Sequence, residues 1–149
     1  MIWEDYKSEF NPDGHLRDLY IKDVNHAHWQ SLLQFLRSTH ADLKFYVDGK
    51  VSHLPTDIQP VLQDKSHNYL LAVHLGGVNI QCDFASSKQI TLEFDPLEID
   101  DEFKANLIFR LMSTIGRTLD KSVVCAQANG VEKAIFQYRP GETIEYLAK

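Results

Sequence analysis

Three dipeptides constrain this chain more than any other feature. Asp48-Gly49 in "KFYVDGKVSHL", Gly76-Gly77 in "LLAVHLGGVNIQCDF" and Asn129-Gly130 in "VVCAQANGVEKAIFQY" each divide two strand-like runs. Such pairs suit a type I′ turn, whose two central residues both need positive φ. That turn sets Val47 opposite Lys50, Leu75 opposite Val78 and Ala128 opposite Val131. Three tight hairpins in one short chain require a mostly antiparallel sheet.

Two helical stripes accompany the hairpins. In "VNHAHWQSLLQFLRSTH", Trp29, Leu32, Leu33 and Leu36 recur at helical spacing, with Asn25 as N-cap and Val24 placed to staple onto Trp29. In "DDEFKANLIFRLMSTIGRTLDK", Phe103, Leu107, Ile108, Leu111, Met112, Ile115 and Leu119 form a broader stripe. Asp100, Asp101 and Glu102 open that helix and Arg117 and Lys121 close it, as the helix dipole favours; Asp100 is the residue expected to cap it. "QITLEFD" alternates like a half-buried strand, "TDIQPVLQDKSHN" reads as a short helical turn or link, and Pro140-Gly141 precedes a last short strand. "IWEDYKSEF" fits a strand or, through Trp3, Tyr6 and Phe10, a helix.

The segment "NPDG", residues 11–14, precedes the strand-like "HLRDLYIKDV". Asn first, Pro second and Gly last match a type I turn, and Asp suits the third place. Asp13, His15 and Asp18 are therefore expected to serve a turn rather than a metal or catalytic site. In chain order, strand–helix–hairpin occurs twice, with the Gly76-Gly77 hairpin between. The expected fold is a single α+β domain spanning residues 1–149. It has an antiparallel sheet of about seven to nine strands and two main helices on one face.

No residue pattern points to catalysis. At 149 residues the chain can bury a core without disulfides or metal. Cys82 and Cys125 sit in strand-like runs and are expected to be buried, reduced thiols. The seven histidines lack ligand spacing: His26 and His28 are two apart on a helix, whereas a chelating pair needs four. His53 and His74 belong to different hairpins, and His15, His40 and His67 lie at turns or element ends. There is no phosphate-binding glycine loop, nucleophile elbow or paired-cysteine motif. No catalytic residue, cofactor or metal is assigned.

Charge narrows the partner. The net charge is −6, with no Lys/Arg cluster of the kind that nucleic-acid binding requires. No segment has the length of apolar sequence needed to span a membrane, and no secretory leader is evident, so a cytoplasmic location is expected. The richest acidic stretch is "FDPLEIDDEF", without a cation. Asp95, Glu98, Asp101 and Glu102 are its candidate contact residues, joined by Phe109, which falls off the apolar stripe of the second helix. The expected function is a non-enzymatic intracellular protein that binds a basic protein partner through this acidic face. Small acidic α+β inhibitors of secreted toxins, the immunity type, share its size, charge and lack of catalytic motifs. A small-molecule binder using the open sheet face, and an enzyme with a dispersed site, are the alternatives.

Overall fold

The Asp48-Gly49 and Gly76-Gly77 turns form with the expected register. In the computed structural model, which describes residues 1–128 and 133–147, Val47 opposes Lys50 and Leu75 opposes Val78. Asp48, Gly49, Gly76 and Gly77 all have positive φ, of 50°, 81°, 57° and 85°. Glycine is suited to this region because it has no Cβ to clash. The Asn129-Gly130 turn lies outside the described residues. A two-residue turn there, continued without irregularity, would set Cys125 opposite Ala134. The flanking strands instead set Cys125 opposite Phe136 and Ala126 opposite Ala134, with a register shift between Cys125 and Ala126. The expected pairing of Ala128 with Val131 lies outside the described residues as well.

Nine strands build one sheet among the described residues. They are β1 (Arg17–Lys22), β2 (Asp42–Val47), β3 (Lys50–Ser52), β4 (Tyr69–Leu75), β5 (Val78–Asp83), β6 (Gln89–Phe94), β7 (Val123–Gln127), β8 (Ala134–Tyr138) and β9 (Glu145–Tyr146). Their order is β3-β2-β4-β5-β6-β1-β7-β8-β9, and every neighbouring pair is antiparallel. The helices are α1 (Trp3–Tyr6), α2 (His26–Ser38), α3 (Gln59–Gln63) and α4 (Glu102–Leu119). Helices α2 and α4 pack together over one face of the sheet.

The doubled strand–helix–hairpin order is present as β1-α2-β2-β3 and β6-α4-β7-β8. The two units are not equivalent in the sheet. Helix α2 carries the chain past three strands, from β1 to β2, while α4 carries it past one, from β6 to β7.

Alternation along the strands fixes the faces. Leu19 and Ile21 of β1, Ile80 and Cys82 of β5, Ile90 and Leu92 of β6, and Cys125 of β7 are buried toward the helices. On the other face Asn79, Gln81 and Asp83 of β5 are exposed. From α2, Trp29, Leu32, Leu33 and Leu36 enter the core. Asn25 caps this helix through a reciprocal pair: its side chain accepts from the His28 amide at 3.1 Å, and its own amide donates to His28 Nδ1 at 2.9 Å. His28 takes the place usually held by Glu or Gln in a capping box.

Helix α4 departs from its sequence reading at its first turn and at Phe109, which is buried. Ile108, Leu111, Met112, Ile115 and Leu119 are buried as expected, but Phe103 is 65% exposed. The cap is Asp101, which accepts from the Lys104 amide at 2.8 Å; Asp100 instead forms a 3.1 Å ion pair with Lys104. Near its C-terminal end, Gly116 lies directly against the buried Tyr138 of β8. A Cβ there would come within 2.3 Å of the Tyr138 ring.

The N-terminal segment is helical, not a strand. Helix α1 runs into a 3-10 turn, Lys7–Phe10. Its three aromatics, Trp3, Tyr6 and Phe10, join Phe109, Phe136 and Phe94 in a cluster of edge-on, stacked and tilted rings.

Candidate functional site

The acidic stretch folds as a corner between β6 and α4, and each acid there has a specific setting. Asp95 accepts from the Leu97 amide at 3.0 Å and caps the 3-10 turn Pro96–Glu98. Glu98 reaches back to β5, where its two carboxylate oxygens accept from the Asn79 amide at 2.8 Å and from Asn79 Nδ2 at 2.9 Å. Asp101 caps α4, while Asp100 and Glu102 are exposed charges at the helix start. The structure thus gathers Asp95, Glu98, Asp101 and Glu102 at one corner but gives Asp95, Glu98 and Asp101 hydrogen-bonding work within it.

Phe109 belongs to a different setting. It is 8% exposed, with ring centroids 5.4 Å from Tyr6 and 4.9 Å from Phe136. The N-terminal segment covers the patch that the helical wheel left open, so Phe109 is not a surface anchor. No local pattern around residue 109 could reveal a cover supplied from residues 6–10.

Two apolar side chains stand out in its place. Leu97 is 64% exposed and Phe103 65% exposed, one within and one directly after the run of acids. Beside Leu97 runs a groove of about 350 Å³ between this corner and the N-terminal segment. Trp3, Phe10 and Pro12 line it from the N-terminal segment and Pro96, Leu97 and Ile99 from the corner, with Lys7, Ser8, Asn11 and Asp100 as its polar lining. An exposed apolar side chain beside a groove with apolar walls offers a partner surface to bury.

The histidines form separate, exposed contacts. His26 meets Asp57 at 3.2 Å and His74 meets Asn79 at 2.8 Å. His67 lies between two carboxylates, with Nδ1 2.7 Å from Asp48 and Nε2 4.0 Å from Asp64. The hydrogen bond to Asp48, and then its charge, raise the His67 pKa above the ordinary value. Asp64, bonded by the Ser66 hydroxyl, by Tyr69 and by the Ser66 amide, is held down to about 2. This cluster ties the β2–β3 hairpin to the start of β4. Among the described residues no group of three or more His, Cys, Asp or Glu is placed to hold a metal ion.

Both cysteines are free and buried. Burial raises each thiol's pKa, that of Cys125 to about 12, which keeps it protonated and unreactive.

"NPDG" holds a polar junction that its sequence concealed. Gly14 has the positive φ of a turn, 82°, but the four residues form a bend without the hydrogen-bonded type I turn expected. The bend wraps the guanidinium of Arg17, which is 3% exposed. Arg17 donates to Asp13 Oδ1 and Oδ2 at 3.1 and 3.0 Å, to the Glu9 carbonyl at 2.8 and 3.1 Å, and to the His15 carbonyl at 3.0 Å. Gln127 of β7 adds a bond to Asp13 at 3.0 Å. The Arg17 side chain leads the causes that lower Asp13 to about 2. His15 contributes its backbone, and Asp18 projects from the other face of β1, so the three residues do not converge. Tyr146 donates to the Glu9 carboxylate and fastens the same segment from β9.

No helix among the described residues is long and apolar enough to cross a membrane. No protein-family description, curated protein or solved structure matches the chain.

Proposed function

We propose that this protein is a non-enzymatic binding protein that holds a basic protein partner against the acidic corner at residues 95–102. The observation that carries the reading is the exposure of Leu97 and Phe103, 64% and 65%, amid that corner's carboxylates. Two apolar anchors with a charged rim match the general anatomy of a protein interface, in which a desolvated centre supplies affinity and peripheral charges supply steering. The groove from Trp3 to Ile99 gives an incoming apolar side chain a place beside Leu97. An immunity-type inhibitor of a basic toxin is the most specific form of this reading, and an intracellular site of action goes with it.

The test is affinity capture from native lysate with the wild type and with a Leu97→Ala/Phe103→Ala double variant. Both side chains are mostly in water, so the variant should melt within about 2 °C of the wild type, as surface substitutions generally do. A basic protein retained by the wild type and lost by the variant is the expected result. A partner held equally by both would refute the groove and its anchors.

A further inference from the structure

Among the described residues the sheet ends at β9, a strand two residues long, with no further strand beyond it. The Leu147 amide donates inward to the Ile135 carbonyl at 2.8 Å. By the alternation of a strand, the amide and carbonyl of Tyr146 face away from β8. A cleft of about 610 Å³ opens where α1 meets β9 and the connection from β8, and Gln137 of β8 also lines it. Ile2, 66% exposed, and Ile144 and Tyr146 supply apolar wall. Asp5, Glu142 and Glu145 supply three carboxylates against one guanidinium, that of Arg139. Arg139 sits 4.0 Å from Glu142 and 3.9 Å from Glu145, long pairs that leave both acids open to a further cation. The other face of the N-terminal segment, through Trp3 and Phe10, lines the groove beside Leu97.

We propose that the cleft between α1 and β9 receives an extended, cationic segment of a protein partner as a tenth strand, hydrogen-bonded to the outer edge of β9. Strand addition draws affinity from main-chain hydrogen bonds and selectivity from pockets for alternate side chains. Here alternate apolar side chains of the segment meet Ile2 and Tyr146, while its Lys or Arg residues meet Asp5, Glu142 and Glu145. The excess of carboxylates selects a basic occupant over an acidic one. The occupant rests on the protein-binding reading above, but its site uses none of the residues of the acidic corner.

The probe is a blocked heptapeptide, acetyl-Lys-Val-Lys-Thr-Lys-Val-Lys-amide, titrated into 15N-labelled protein. A second peptide of the same sequence carries N-methyl groups on alternate amides, on the edge that would face β9. The expected result is shift changes at Ile144, Glu145 and Tyr146, slowed amide exchange at Tyr146, and at least tenfold weaker binding of the methylated peptide. Glu142→Lys/Glu145→Lys should abolish binding of the parent peptide, whereas Leu97→Ala/Phe103→Ala should leave it unchanged. Equal binding of both peptides, shifts confined to residues 95–102, or no shifts at millimolar peptide would each overturn the proposal. Binding at β9 by a protein whose lysate partner is unaffected by Leu97→Ala/Phe103→Ala would refute the groove and keep the edge.

Discussion

Arg17 shows what a single residue does here that its neighbours in sequence do not announce. A guanidinium carries five donors, and this one spends them on one carboxylate and on backbone carbonyls of a chain segment that would otherwise turn without partners. Replacing it with Met keeps the volume and removes every donor. The expected loss is about 2 to 3 kcal/mol, toward the low end for a buried ion pair because Asp13 retains contact with water. Urea denaturation would measure it; a loss below about 0.5 kcal/mol would show that the N-terminal segment is held by its aromatics alone. Asp13 adds a pH dependence of known sign. Its folded pKa, about 2, lies below the ordinary carboxylate value of 3.8, so its stabilisation is complete above that ordinary value. It fades as pH falls from about 4 to about 2. The acid limb of the stability curve should therefore flatten in Asp13→Asn, and an unchanged limb would contradict the pairing. Sequence could not expose this junction, because most of Arg17's acceptors are carbonyls, which every residue has.

Elements were more legible than junctions, for a physical reason that differs from one to the next. The Asp48-Gly49 and Gly76-Gly77 turns were readable because positive φ is costly for most residues, so the turn selects its residues locally. Helix α4 was readable in its centre and misread at its first turn. Asp100 and Asp101 are chemically alike, and only the path of the chain decides which carboxylate reaches the Lys104 amide. Phe103 fits the apolar stripe by angle, yet the fold leaves it 65% exposed. Gly116 carries the opposite lesson. By intrinsic propensity, alanine would favour a helix interior by about 1 kcal/mol. In this helix a methyl group would meet the Tyr138 ring at 2.3 Å and the Lys121 carbonyl at 2.9 Å, and the ring is buried with little room to retreat. Overpacking costs roughly 1 to 3 kcal/mol, so Gly116→Ala should destabilise the protein despite the better helix former. A rise in melting temperature for that variant would mean that α4 can slide off β8.

At the scale of the whole molecule, charge and apolar exposure have separate kinetic signatures. The net charge is −6, and the acids at 95–102 contribute to the field that an approaching cationic surface meets. Not all of them can be removed to test this. Glu98 bonds Asn79 and Asp101 caps α4, so neutralising either one changes the fold's own hydrogen bonding; loss of the cap alone costs about 1 kcal/mol. Asp100 and Glu102 are the usable pair, because both are exposed and the surface ion pair of Asp100 with Lys104 contributes little to stability. Asp100→Asn/Glu102→Gln should leave stability within about 0.5 kcal/mol of the wild type. Association with the recovered basic partner should slow, most at low ionic strength, and the effect should shrink as the Debye length falls to ~8 Å at physiological salt. Dissociation should be nearly unchanged. Leu97→Ala/Phe103→Ala should do the reverse, speeding dissociation while leaving the salt dependence of association intact, since buried apolar contact acts after encounter. Surface-plasmon kinetics at low and high salt would separate the two. If both pairs of substitutions altered the same rate constant, charges and anchors would not be acting at one interface in these two roles, and the acidic corner would be only the solvated start of a helix.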